Sequence, residues 1–137
     1  MKRIFIFLAV VVLAGGLYGI YLFNKKPADT REETADFEIS ATDLVKAFSS
    51  DEETATKKYV DKILMVTGQI KEINITSSTL FLESADPLAN VTCSFYGDEN
   101  AKLKKLQSGE IVHVKGKCTG KLMDVVMNNC SLNNINQ

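Results

Sequence analysis

The residues with most chemistry to offer are three cysteines, Cys93, Cys118 and Cys130, and one histidine, His113. A structural zinc site takes four Cys or His ligands, usually including a closely spaced Cys pair. This chain has no C-x-x-C and no second His, so no metal is expected. Nucleophilic catalysis needs a thiolate or alkoxide beside a base. His113 lies in an alternating Val-His-Val run, on the opposite face from Val112 and Val114, and reads as a solvated surface residue. No Cys-His or Ser-His-Asp arrangement can be assembled around it. Gly15-Gly16 and Gly19 lie inside an apolar run and make no phosphate loop, and the carboxylates are scattered. The sequence therefore predicts no enzyme and no cofactor.

Binding chemistry is the remaining option. Barrels that hold single-stranded nucleic acid combine a basic groove with aromatic platforms for stacking. Here Lys115, Lys117 and Lys121 form a small candidate patch, with Lys102, Lys104 and Lys105 nearby in sequence. Phe81 and Tyr96 are the candidate outward aromatics on strands. The charge balance is −6 over residues 29–61 and +1 over residues 62–137, far from a strongly basic domain. Solvated lysines are the plainer reading, and nucleic-acid binding is kept as the runner-up.

Several elements must position these residues. Lys2 and Arg3 precede a charge-free run, Ile4–Phe23, followed by Lys25 and Lys26. About 20 apolar residues suffice to cross a bilayer as a helix, more than the apolar core of a cleaved signal. The run lacks a good small-x-small cleavage site, and no Cys near its end offers a lipid-attachment site. It is read as an uncleaved single-pass anchor over residues 1–26, with Tyr18 and Tyr21 near the far interface. The flanking positive charges are nearly tied. Cysteine usage tips the expected orientation toward a carboxy-terminal domain outside the cytoplasm. Residues 27–39 are acidic and begin with proline, and are read as a solvated linker. Residues 40–137 are read as the folded domain.

That domain opens with two capping-box patterns, Ser40-x-x-Asp43 and Ser50-x-x-Glu53, which predict two short helices or one broken at Ser49-Ser50. Strands are predicted at 62–73, 79–83, 90–96, 111–118 and 122–132. Turns fall at Asn74–Ser78 and Thr119–Lys121, and a helix at 98–106. Gly68 and Gly116 sit inside two long strands, where glycine marks a bend or a close approach of backbone. The order β-β-β-α-β-β predicts a mainly β protein, a five-stranded Greek-key barrel of the oligonucleotide/oligosaccharide-binding (OB) type.

The same stretches resemble the tRNA_anti-like family of bacterial OB-fold proteins. The resemblance rests on Leu44 and Phe48, Lys58-Tyr59, Lys62–Gly68, Val91–Phe95, Gly109-Glu110, Val114–Gly120, Asp124–Val126 and Cys130, and covers roughly residues 40–132. It implies the fold and leaves the ligand open. An exported haem chaperone has a similar architecture, but its His with a Tyr a few residues on is missing around His113.

The resemblance also carries Cys118 and Cys130, the favoured disulfide pair. Antiparallel counting around Gly120 does not place them opposite one another. Cys93–Cys130 and three buried thiols remain open. The expected function is a non-catalytic, membrane-anchored envelope module that binds a protein, peptide or glycan. The candidate ligand residues, by fold alone, are Phe81, Tyr96, Lys115, Lys117 and Lys121. A structural subunit of an envelope complex is the third reading.

Overall fold

The computed structural model describes residues 1–24 and 29–133. Residues 25–28 and the tail beyond Asn133 lie outside the described residues. The expected run forms one helix, α1 (Lys2–Asn24), with mean hydropathy 2.4 and no buried residue. By length and composition it can cross a membrane.

Five strands close the barrel: β2 (Ile63–Asn74), β3 (Thr79–Leu82), β4 (Val91–Phe95), β5 (Ile111–Lys121) and β6 (Val125–Leu132). Neighbours run β2-β3-β4-β6-β5, and β2 pairs again with β5. The β4–β6 pair is parallel and the others in the ring are antiparallel. This is the predicted OB barrel. Alternation puts Leu64, Val66, Leu80, Leu82, Val91, Cys93, Val114 and Met127 inside, each fully buried.

A sixth strand was not expected. Phe37–Ser40 forms β1 and pairs in parallel with β2, Phe37 opposite Leu64 and Ser40 opposite Thr67. The acidic stretch is therefore not a free linker. Its alternating Phe37 and Ile39 pack against the core, while Glu38 stays exposed. Ser40 ends the strand and starts α2 (Ala41–Ser50), its hydroxyl accepting the Asp43 N–H at 3.0 Å. The second cap is one residue later than predicted. Asp51 accepts the Thr54 N–H at 3.1 Å and starts α3 (Glu52–Tyr59). Leu44, Val45, Phe48, Ala55 and Tyr59 bury one face of the helix pair against the core. The predicted helix at 98–106 is shorter, a 3-10 turn Gly97–Glu99 running into α4 (Asn100–Leu103).

Both strand glycines permit close contact. A Cβ on Gly68 would lie 2.9 Å from the Ala41 Cβ, and one on Gly116 would lie 2.5 Å from the Cys130 sulfur. The bend of β2 falls just after Gly68, where the register shifts between Ile70 and Glu72.

The predicted turn at Thr119–Lys121 is corrected: β5 continues through Lys121, and the chain reverses over 122–124. This places Cys118 opposite Met127, three residues from Cys130. The Cys118–Cys130 disulfide is likewise corrected. All three thiols are free and buried. Burial pushes the Cys118 and Cys130 thiols above their ordinary value, and a hydrogen bond with Cys93 adds to the rise at Cys130.

Candidate binding groove and the docked segment

The five candidate ligand residues do not share a surface. Phe81 is half-buried on the outer face of β3, opposite Glu72 of β2 and Thr92 of β4. The three lysines are on β5, which the barrel separates from β3 by β2 on one side and by β4 and β6 on the other. Each has a partner in its own chain. Lys115 Nζ donates to the Arg31 and Glu33 carbonyls at 2.8 and 2.9 Å. Lys117 sits 3.6 Å from the Asp61 carboxylate, and Lys121 Nζ donates to the Ser49 hydroxyl at 3.3 Å.

Tyr96 is covered by the segment that was read as linker. The Thr30 N–H donates to its hydroxyl at 3.3 Å, and the Arg31 guanidinium lies 4.5 Å from its ring centre. The Thr30 hydroxyl donates to the Asn129 carbonyl, and Thr30 is only 2% exposed. Asn129 offers that carbonyl because β6 bulges there. Lys115 opposes Ser131 and Lys117 opposes Asn128, so Asn129 and Cys130 together face the single Gly116. Asn129 takes a left-handed φ of 52°, which asparagine tolerates better than most residues.

Arg31 also donates to Asp98 and Asp29, both at 2.7 Å. These contacts lower the Asp29 carboxyl from 3.8 to about 2, lower Asp98 and raise Arg31. The segment 29–33 is thus a strap laid from the β4 end to β5. In sequence its Asp-x-Arg looked like part of a solvated charge run. Only the distant partners Tyr96, Asp98 and Asn129 give it structure.

A groove of about 470 Å³ opens where β1 and β3 meet end to end beside β2. β1 stops opposite Thr67 and β3 stops opposite Ile70, which leaves Gly68 and Gln69 between them. The walls carry the side chains of Ser40, Thr42, Thr67, Gln69, Glu83 and Ser84, with Ile111 at the rim. His113 belongs to this neighbourhood rather than to open solvent: it is half-buried, and its Nδ1 lies 2.7 Å from the Thr67 hydroxyl. A second depression of about 280 Å³ shares Thr42 and Ala85 with the first and runs along α2 past Lys46 and Asp86. The larger groove is lined by hydroxyls, one amide and one carboxylate, without an aromatic ring, lysine or arginine. Such walls suit hydrogen bonding to a neutral or cationic chain and not phosphate. None of its residues was singled out in the sequence as a ligand residue.

Among the described residues no cluster of His, Cys, Asp and Glu has metal-site geometry. A loop tie closes the other side of this end: Asp124 accepts the Asn90 N–H and the Thr92 hydroxyl, both at 2.9 Å.

The sequence matches the tRNA_anti-like family over residues 1–132. No curated protein matches it. Among solved structures it is similar to a candidate nucleic acid-binding lipoprotein of Klebsiella pneumoniae, with 13% identity and a TM-score of 0.59. That likeness covers 74% of this chain and 99% of the other, and it shows a shared fold.

Proposed function

We propose, on the premise that the chain belongs to the tRNA_anti-like family, that it is a non-catalytic OB module held to a membrane by α1 and binding a protein segment outside the cytoplasm. One observation carries this reading. Lys115, Lys117, Lys121 and Tyr96, four of the candidates for gripping a nucleic-acid strand, make contacts within the chain itself, whereas the open groove presents hydroxyls and Glu83. Folding of Arg31 onto the barrel leaves the amino terminus, Lys2 and Arg3 opposing Lys25 and Lys26, which supports an inside amino terminus. The proposed division is anchor (1–26), juxtamembrane segment (27–39) and domain (40–137), with residues 29–39 of the middle piece packed on the barrel.

The second reading is nucleic-acid binding, favoured by the description of the Klebsiella pneumoniae neighbour. Full-length protein in lipid nanodiscs separates the two. Single-stranded RNA and DNA oligonucleotides are expected to pass such a column unretained at low salt. Retention that falls steeply as salt rises would replace the protein-binding reading with the nucleic-acid one. A photo-crosslinker at Thr42 in native membranes is expected to yield a protein adduct, and one at exposed Lys62 none.

A further inference from the structure

We propose that the groove beside β2 takes an extended peptide segment carrying a basic side chain and, about three or four residues along, a large apolar one. This deepens the protein-binding reading above and rests on it.

The exposed apolar side chains of the barrel are gathered in one place. Leu88, Ile111, Leu122 and Met123 are 82%, 72%, 89% and 80% exposed. Beyond residue 24 they are the only exposed large apolar side chains among the described residues. Single ones are ordinary on a protein surface, whereas a group of them marks an interaction site. All four border the groove. Ile111 rims the larger part, and the smaller depression ends at Ser49 and Asp86. The bond from Lys121 to the Ser49 hydroxyl places the β5–β6 reversal, with Leu122 and Met123, beside that end. The Asp86 carboxylate accepts the Leu88 N–H at 2.9 Å and brings the β3–β4 loop there too. Asp124 ties the two loops together through the Asn90 N–H. The groove thus runs from Ile111 to an apolar platform.

Charge distinguishes its two parts. The larger part holds one charged side chain, Glu83, which is exposed and has no ion pair among the described residues. The far end holds Lys46 and Lys121 against Asp86. These four charges sum to zero. The site therefore exerts little long-range pull on a polyanion and selects by contact. A partner's lysine or arginine fits Glu83, with its aliphatic stem on Ile111. A large apolar side chain fits the platform of Leu88, Leu122 and Met123.

The spacing follows from α2. Thr42 belongs to both parts of the groove, and Ser49 lies at the end of the smaller one. Seven positions of helix separate them, about 10 Å. Extended chain covers that length in about three residues.

The test starts from random octapeptides displayed on phage and selected on the full-length protein in lipid nanodiscs. Enriched sequences are expected to pair Lys or Arg with Leu, Ile, Met or Phe at a spacing of about three or four. One such peptide is then synthesised with two controls, glutamine in place of its basic residue and serine in place of its apolar one. Glu83→Gln should weaken the parent peptide by up to about fivefold and erase its advantage over the glutamine control. Leu122→Ser with Met123→Ser should weaken it by about tenfold and erase its advantage over the serine control. Both variants change exposed side chains, and amide exchange checks that the barrel is intact. No enrichment, enrichment without that pairing, or a parent peptide that binds no better than its controls overturns the proposal. The protein-binding reading fails separately: the crosslinker at Thr42 still yields a protein adduct if only the peptide chemistry is wrong, and yields none if the groove binds no protein.

Discussion

At the residue scale, Gly116 and Cys130 form one unit. The β6 bulge turns Cys130 inward, and only a residue without Cβ can face it. Gly116→Ala is expected to destabilise the barrel by about 1–3 kcal/mol, the usual range for overpacking a tight core. Cys130→Ala removes the sulfur that a new Cβ would strike. The double variant should then lose less stability than the two single losses summed, by urea unfolding; strict additivity would show that the backbone contacts to Asn128 and Cys130 set the cost instead. The sequence identified both residues as special but misread the relation. Cysteines on consecutive strands suggested a bond, and the alternation of buried positions was visible. The bulge that rotates Cys130 toward Gly116 and sets Cys118 against Met127 had no local signature. Asn129 was its only trace.

At the element scale, Ser40 joins two elements, as the last residue of β1 and the N-cap of α2. Ser40→Ala should cost about 1 kcal/mol, the typical loss for an N-cap. Its effect should appear as faster amide exchange at Asp43, whose N–H it accepts, rather than across β5 or β6. A uniform loss of protection would mean that the cap stabilises only through the global fold. The cap was legible because Ser-x-x-Asp ahead of Leu44, Val45 and Phe48 is a local pattern. β1 was not legible, although Phe37 and Ile39 alternate. Four residues in an acidic run carry little signal, and their partner in β2 is 27 positions away. The strands of the barrel were read within a few residues because each buries a period-two face. The β5–β6 reversal was placed too early because Gly120, with φ 123°, sits inside a strand and not in a turn.

At the scale of the whole molecule, the strap sets how far the barrel can move from α1. With residues 29–36 docked, four residues span the gap; with them released, twelve do, and the reach rises from about 17 to about 45 Å. Arg31 is the link that acid can break, because it works through two carboxylates. Asp29 is held at about 2, below its ordinary 3.8, chiefly by the Arg31 hydrogen bonds, and Asp98 is lowered for the same reason. A lowered carboxyl pKa means that the docked state favours the charged form. Its contribution is complete above about pH 4 and disappears as pH falls toward 2. The Thr30 and Arg31 amides, which donate to Tyr96 and Asp29, should therefore lose protection over that window before the β2 and β3 amides do. Arg31→Gln should show the released pattern already at neutral pH, and Tyr96→Phe a partial form of it. Retained protection of Thr30 at pH 2 in the Arg31→Gln chain would mean that the buried Thr30–Asn129 contact alone holds the strap. The tether would then stay short whatever the state of the carboxylates.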